Sequence, residues 1–176
     1  MTDWAVLLRG VNVGGAGRLP MADLRAALAG LGLEAPKTLL QSGNAVVGSD
    51  LPAEDLAERI GAEIAARFGF RPAVLLRDGA GIAAALAHPF EGARPDQVHA
   101  FFLADPGAAV DAAAADRLAA TSERWCRGPG LVWLHAPDGI GRSRLAAGLP
   151  RLIDCPVTAR NLRTVAALDE LLRARG

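Results

Sequence analysis

The spacing of apolar residues changes several times along the chain, and each change predicts a different element. Residues 4–9 (WAVLLR) form a continuous apolar run, which indicates a buried strand. Apolar residues then recur at helical spacing over residues 21–31, and residues 37–41 and 44–48 favour two strands joined by a tight turn. A second helix follows with Ser49 or Asp50 as its N-cap, and residues 72–77 (PAVLLR) predict a fourth strand.

The same order of elements is predicted a second time. After a short helix and a polar connector, the pattern predicts a strand at residues 99–103, a helix at 108–120, and strands at 123–127 and 131–136. A helix, a short strand and a last helix from about residue 162 follow. Strand, helix, strand, strand, helix, strand is the order of the split βαβ, or ferredoxin-like, unit. The predicted fold is therefore α+β: two ferredoxin-like (βαββαβ) halves packed together, plus a C-terminal helix.

The predicted boundaries follow from this order. Residues 1–77 form the first ferredoxin-like subdomain, residues 78–97 a connecting helix and linker, and residues 98–176 the second subdomain with its C-terminal helix. A chain of 176 residues can bury a core without disulfide bonds or metal ions. No apolar run is long enough to span a bilayer, and the N-terminus lacks the pattern of a signal peptide, so we expect no membrane partner and a cytoplasmic location.

Charge and cysteine content remove several function classes. The chain carries 19 basic and 19 acidic residues, and this balance makes nucleic acid an unlikely partner because nucleic-acid-binding proteins usually carry a basic stripe. Cys126 and Cys155 are far apart, and the three histidines show no metal-ligand spacing, so we predict no metal site. A half-buried structural role is the favoured interpretation of His135, which shares a strand face with Leu131 and Trp133.

Polar residues cluster at one edge of the first predicted half. In this topology the end of the first strand, the start of the first helix and the hairpin after the second strand share an edge, and the first and third strands are neighbours. That edge collects two arginines, several glycines and four polar side chains: Arg9, Asn12, Gly14, Gly15, Gly17, Arg18, Gln41, Ser42 and Asn44. Glycines let backbone approach a ligand, and a helix N-terminus favours anions, so the edge suits phosphate or carboxylate.

A parallel edge is predicted in the second half. Residues 138–144 (DGIGRSR) form a glycine turn leading into a helix, with Ser143 placed as its N-cap. The short strand before the last helix ends on the same edge and supplies further polar groups. The candidate ligand residues here are Arg142, Ser143, Arg160 and Asn161, with Thr158 and Arg144 beside them. Arginines and an amide suit an anion.

Each edge also has an interpretation without a ligand. The glycine loop can be a tight surface loop with a solvated polar rim, and Asn161 can simply cap the last helix. The loop GVNVGGAG is neither a P-loop nor a dinucleotide-binding turn, because no Gly-Lys-Ser/Thr and no G-x-G-x-x-G is present. No nucleophile and base stand at a telling spacing, so catalysis and cofactors are left open.

Four segments together resemble a known family. LLRGVNVGGAGRLPMADL, TLLQSGNAVV, PDGIGRSRL and TARNLRTV, in this order, are similar to the bacterial domain-of-unknown-function family 1697. The resemblance implies a two-subdomain α+β fold with ferredoxin-like halves, and it implies no activity, substrate or cofactor. Similar members usually have lysines after the Gly-Gly pair, where this chain has Ala16, Gly17 and Arg18, so any loop charge must come from Arg18 alone.

Three functions remain open, in a stated order. The first is binding of an anionic small molecule, meaning a phosphorylated or carboxylated metabolite or a nucleotide, with each half supplying one wall of the site. The second is a protein-interaction or assembly module that uses the same edges. The third is an RNA-binding module, which the scarcity of aromatic residues on the first-half strands and the absence of tyrosine disfavour. The oligomeric state is left open.

Overall fold

The structure of the chain, a computed structural model, describes residues 1–15 and 17–176; Ala16 lies outside the described residues. It divides into two compact units, one formed by Met1–Ala83 with Ala167–Gly176 and the other by Ala84–Ala166. Across the described part of the chain there are two four-stranded antiparallel sheets and six α-helices. The predicted α+β class is confirmed. No helix found within residues 1–15 and 17–176 is long and apolar enough to cross a membrane.

The first unit has one sheet and two complete helices. Its elements are β1 (Thr2–Leu8), α1 (Met21–Gly30), β2 (Glu34–Leu39), β3 (Asn44–Ser49), α2 (Ala53–Phe68) and β4 (Val74–Arg77). The strand order across the sheet is β2-β3-β1-β4, and every neighbouring pair is antiparallel. The end of β1 therefore lies beside the start of β3, which is the arrangement that the edge prediction requires.

The core of the first unit forms where helix faces meet the sheet. One face of β1 and β3 packs with the inward faces of α1 and α2, and the largest buried members are Val6, Leu8, Val47, Leu24, Leu28, Leu56, Ile60 and Ile64. Each of these side chains is at most 2% exposed. Burying a side chain of this size stabilises the fold by roughly 1.5–3 kcal/mol, so this cluster dominates the stability of the unit.

Strand β2 lies at an edge of the sheet and is irregular. Its pairing with β3 shifts register between Glu34 and Lys37, and Ala35 has a positive φ of 42°. Pro36 within the shift has no N–H to donate. The predicted strand at residues 37–41 therefore begins three residues earlier than the alternation of polar and apolar positions indicates.

The second unit repeats the sheet with different helices. Its elements are β5 (Val98–Leu103), α4 (Ala112–Leu118), β6 (Arg124–Gly128), β7 (Leu131–His135), a 3-10 turn (Ile140–Arg142), α5 (Arg144–Leu152) and β8 (Val157–Asn161). The strand order is β6-β7-β5-β8, again antiparallel throughout. Helices α3 (Gly79–Leu86) and α6 (Leu162–Arg173) each contain a boundary between the two units.

The core of the second unit is built in the same way. Strands β5, β7 and β8 pack with α4 and α5, through Phe101, Leu103, Ala115, Val132, Leu134, Leu145, Leu149 and Val157. Helix α4 begins later than the apolar pattern predicts, because the side chain of Asp111 accepts a hydrogen bond from the N–H of Ala114 and caps the helix there.

The start of α2 corrects a second detail. Ser49 and Asp50 are the predicted N-caps, but the helix begins at Ala53, with Pro52 at the N-cap position and no side-chain cap. The hydroxyl of Ser49 instead accepts a hydrogen bond from the N–H of Leu51 at 3.1 Å. Ser49 thus shapes the turn before the helix, and the fixed φ of Pro52 sets the direction in which the helix leaves it.

Candidate functional site

Three chain segments meet at the end of β1. Leu7 pairs with Asn44 in the β1–β3 register, and the N–H of Leu8 donates to the carbonyl of Gly43 at 2.8 Å. The N–H of Arg9 donates to the carbonyl of Ala73, just before β4, at 3.0 Å. The structure therefore brings Arg9 close to the hairpin that precedes Asn44. We call this region the first edge, meaning residues 9–15, 17–19 and 40–44.

Asn12 holds the glycine loop against the hairpin. Its side-chain NH2 donates to the carbonyls of Leu19 at 2.8 Å and Gln41 at 2.7 Å, and its side-chain oxygen accepts from the N–H of Leu19 at 2.8 Å. Its own N–H donates to the carbonyl of Gly17, and its φ of 56° is a left-handed conformation that asparagine tolerates better than most residues. The side chain of Asn12 is therefore a brace within the loop.

The glycines of the loop serve two purposes. A Cβ on Gly17 would lie 2.7 Å from the carbonyl oxygen of Gly10 and 3.3 Å from Phe70, so Gly17 allows a close backbone contact. Gly14 and Gly15 have positive φ of 62° and 81°, with no heavy atom within 4 Å of the position that a Cβ would take. The backbone at these two residues is open, so an external group can approach it closely.

Two guanidinium groups flank this open backbone in the sequence. Arg9 and Arg18 are both exposed, and within the described residues neither side chain forms a hydrogen bond or ion pair. Gln41 is also exposed, although its backbone carbonyl is engaged by Asn12. A guanidinium offers five N–H donors in a planar fork that matches phosphate and carboxylate oxygens. These are the polar groups of the first edge that remain available to a ligand.

Asn44 and Ser42 act inside the hairpin. Asn44 is 0% exposed, and its side-chain NH2 donates to the carbonyl of Leu39 at 3.2 Å and to the hydroxyl of Ser42 at 2.9 Å. Both residues have further partners as well. Burial of an amide without hydrogen bonds is costly, so these contacts account for the presence of an asparagine in a buried strand. Ligand binding by either side chain stays a prediction.

The first edge also exposes two apolar side chains that sequence reasoning missed. Val13 is 65% exposed and Leu40 is 58% exposed, and each adjoins a residue of the Asn12–Gln41 hydrogen bond. Leu40 has a positive φ of 57°, a strained conformation for this residue type. Leu40 follows two half-buried strand residues, so its exposure could be found only from the backbone conformation of the hairpin.

In the second unit, two of the predicted site residues cap helices. The hydroxyl of Ser143 accepts from the N–H of Ala146 at 2.9 Å, which confirms its predicted role as an N-cap. The side-chain oxygen of Asn161 accepts from the N–H and the hydroxyl of Thr164 at the start of α6. The alternative interpretation of Asn161 as a capping residue is therefore the one that the contacts bear out.

Arg160 is buried rather than available at the surface. It is 8% exposed and donates from Nη1 to the hydroxyl of Thr158 and to the carbonyl of Ala159, each at 2.8 Å, with further partners. Burial lowers the pKa of Arg160 from 12.5 to about 10. Arg142 and Arg144 are exposed beside Ser143. We call residues 138–144 and 158–161 the second edge; most of its polar groups already have partners within the fold.

The first unit has another concave region, at the opposite end of β1. This depression of about 340 Å³ is lined by Thr2, Asp3, Asp78, Asp169 and Arg173 among others. Asp169 forms an ion pair with Arg173 at 2.7 Å, and Asp3 forms one with Arg175 at 2.7 Å. Three carboxylates around one depression disfavour an anion. Across residues 1–15 and 17–176, no group of three His, Cys, Asp or Glu side chains is placed to hold a metal ion.

Comparison with known proteins identifies a family and a fold. The family described as protein of unknown function (DUF1697) matches residues 1–133. A structure of a conserved bacterial protein from Streptococcus pneumoniae superposes with a TM-score of 0.73 at 24% sequence identity, over 97% of this chain and 98% of that one. Among curated proteins there is no significant match. The similarity to the streptococcal protein shows a shared fold.

Proposed function

Because this chain belongs to DUF1697, a family of proteins of unknown function, we propose its function from its own side chains: the first edge binds an anionic small molecule. The observation that carries the proposal is the pairing of open backbone at Gly14 and Gly15 with the exposed, unpaired guanidinium groups of Arg9 and Arg18. The ligand class is a phosphorylated or carboxylated metabolite, or a nucleotide.

The contacts of the loop support this proposal physically. The three side-chain hydrogen bonds of Asn12 fix the path of the loop before any ligand arrives, so binding would cost little additional ordering of the backbone. The open amides of Gly14 and Gly15 would supply neutral donors, and the two guanidiniums would supply charge. No carboxylate interrupts residues 9–20. A phosphate or carboxylate group satisfies both kinds of donor at once.

Titration with inorganic phosphate, pyrophosphate and citrate tests the proposal. The double variant Arg9→Gln/Arg18→Gln is expected to weaken binding about 10-fold or more, since a hydrogen bond to a charged group contributes about 1.5–3 kcal/mol. The amide resonances of Gly14 and Gly15 should shift during the titration of the wild-type protein. Calorimetry gives the affinity, and ¹⁵N-edited NMR gives the location.

The control removes the same charge from elsewhere in the unit. Arg25 in α1 and Arg59 in α2 are exposed, so Arg25→Gln/Arg59→Gln changes net charge equally without touching the loop. It should leave the affinity within about two-fold, because distant exposed charges are screened by salt. Equal weakening in both double variants, or unshifted Gly14 and Gly15 resonances, would overturn the proposal.

A second function is favoured by the exposed apolar side chains. Val13 and Leu40 offer a small apolar contact beside Arg9 and Arg18, which suits an interaction or assembly module. Under that alternative, Val13→Ser/Leu40→Ser would weaken association with a partner chain or a second copy and leave anion binding unchanged. Analytical ultracentrifugation of the wild-type protein and this variant separates the two functions, and an unchanged sedimentation profile would count against assembly.

We also propose that the two units arose by duplication of one ferredoxin-like unit. The strand orders β2-β3-β1-β4 and β6-β7-β5-β8 place corresponding strands in corresponding positions, which supports this history. Ligand roles for the second edge, namely for Arg142, Ser143, Arg160 and Asn161, stay predictions, as does the cytoplasmic location. Under the duplication, the second edge would have lost binding groups to helix capping while the first kept them.

A further inference from the structure

Two histidines and an arginine surround one buried aromatic ring in the second unit. The ring of Phe90 lies 5.9 Å from the ring of His88 and 5.9 Å from the ring of His135, measured between centroids. The guanidinium carbon of Arg124 lies 5.3 Å from the Phe90 centroid. Nη2 of Arg124 is 3.3 Å from Nδ1 of His135, its direct cross-strand neighbour between β6 and β7. We call these four residues the Phe90 cluster.

The contacts fix which ring nitrogens face outward. A guanidinium can only donate, so Nδ1 of neutral His135 accepts from Arg124 and its Nε2 carries the hydrogen. Nδ1 of His88 accepts from the N–H of Phe90 at 3.1 Å, so its hydrogen is also on Nε2. Each imidazole therefore keeps an N–H donor that no partner within the cluster accepts, and Arg124 keeps further donors.

The segment that carries His88 and Phe90 is held at both ends. Nε1 of Trp133 donates to the carbonyl of Ala85 at 2.8 Å, which ties the end of α3 to β7. The N–H of Ala136 donates to the carbonyl of Gln97, and the side chain of Gln97 donates to the carbonyl of Pro137. The connector between α3 and β5 is thereby anchored to β7 on either side of the cluster. Its histidine is positioned by the fold.

The positive groups of the cluster have no carboxylate partner among the described residues. Both charged neighbours that act on His135, Arg124 and His88, are cationic; together with burial they lower the pKa of His135. The carboxylates of nearby segments are bonded elsewhere: Glu123 accepts from the N–H of Ala120, Asp138 from Ser122, and Asp96 from Arg94. The remaining charged groups on the adjacent segments are Glu91, which is exposed, and His99, which is buried in β5.

We propose that the Phe90 cluster is a second anion site, in which His135, His88 and Arg124 together bind an oxyanion such as the phosphate, sulfate or carboxylate group of a small molecule. The site is separate in sequence from the first edge and independent of it. Protonation of the imidazoles adds charge, so the site binds more tightly as the pH falls. An anion would also relieve the repulsion between Arg124 and a protonated His135.

Sulfate is the probe of choice because it stays a dianion over the range in which histidine titrates. In ¹H–¹³C NMR of the wild-type protein, sulfate should raise the titration midpoint of His135 and, less strongly, that of His88. Its affinity should rise about 10-fold between about pH 7.5 and pH 5.5, as expected when binding is coupled to proton uptake. An unchanged His135 midpoint at saturating ionic strength of sulfate, compared with chloride, overturns the proposal.

Variants separate this site from the first edge and from simple ionic strength. Arg124→Gln should abolish the shift of the His135 midpoint, whereas Arg117→Gln, which removes an exposed charge from α4, should keep it. The Arg9→Gln/Arg18→Gln variant should also keep it, so failure here and failure at the first edge are distinguishable. An equal sulfate response in the Arg124→Gln and Arg117→Gln variants would show screening alone and would refute the site.

Discussion

The first and second edges use the same residue types for different ends. In the first edge, Asn12 and Asn44 are consumed by the fold, while Arg9 and Arg18 remain exposed. In the second, Asn161 caps a helix and Arg160 is buried with bonds to its own strand. An arginine or an asparagine near a glycine turn is thus equally suited to holding the turn and to holding a ligand. The hydrogen-bond partners, rather than the residue types, distinguish the two uses.

The largest expected effect comes from a glycine in each edge. In Gly43→Ala the new Cβ would overlap Val11 and lie 2.9 Å from Leu8 Cβ, at a φ of +76°. Overpacking and the left-handed conformation together should cost about 3 kcal/mol of unfolding free energy. Gly141→Ala in the second edge meets nothing within 4 Å and has no positive φ, so it should be near neutral. Urea denaturation followed by circular dichroism measures both; similar midpoints would break the comparison.

Asparagines in the two edges should differ by a smaller amount. Asn12→Ala removes three hydrogen bonds and leaves an alanine at positive φ, so we expect a loss of about 2–3 kcal/mol. Asn161→Ala removes one helix cap and should cost about 1 kcal/mol. Asn12→Asp, which keeps the acceptor for Leu19 and loses both donors, should fall between wild type and Asn12→Ala. A greater loss in Asn161→Ala than in Asn12→Ala contradicts the assigned roles.

Arginines are the third comparison. Arg160→Met removes hydrogen bonds inside the second edge, and we expect it to cost about 2 kcal/mol, because the bonded polar partners are left buried. Arg9→Gln should change stability by less than about 0.5 kcal/mol, as is usual for an exposed side chain without a partner. The same two variants are expected to behave in the opposite order in anion titrations. An Arg9→Gln protein as destabilised as Arg160→Met would show that Arg9 belongs to the fold.

The smallest effect is pH dependence, and it should come from one unit. All three histidines lie at positions 88, 99 and 135, within Ala84–Ala166. Burial lowers the pKa of His99, whose Nδ1 has no partner, so the unfolded chain takes up the proton first. Stability is therefore full above about pH 6.5 and falls as the pH drops below it.

Denaturation at about pH 7.5 and pH 5.5 measures this dependence. His99→Leu should reduce the difference between the two pH values, and the part that remains is expected to come from His135, whose pKa is also lowered. Titration of an exposed histidine would have no such consequence. A His99→Leu protein with the full wild-type difference would assign the dependence to other groups.

Topology reasoning explains why part of the first edge was predictable. Element order placed the end of the first strand beside the start of the third, and the pairing of Leu7 with Asn44 shows that arrangement. The N-cap role of Ser143 followed from a short-range pattern that needs no tertiary information. Features that depend on local order along the chain were therefore accessible from sequence.

Other features depend on contacts that the sequence does not encode locally. The apolar pattern around Arg160 gives no sign that the guanidinium is buried, because its partner Thr158 is polar and lies on the same strand face. The Phe90 cluster depends on the path of the connector, which brings His88 to a residue 47 positions later in the chain. The positive φ of Asn12 likewise follows from the hairpin that it contacts.

The irregular edge strand β2 has a consequence for how copies of the chain behave at high concentration. A regular edge strand offers unpaired N–H and C=O groups to any other strand, which is a route to aggregation. Here the register shift between Glu34 and Lys37, with Pro36 inside it, interrupts that row of groups. Lys37, the single lysine of the chain, adds an exposed charge at the same place. The strand that closes this sheet is thus built to end it, which protects the chain against open-ended β-sheet growth.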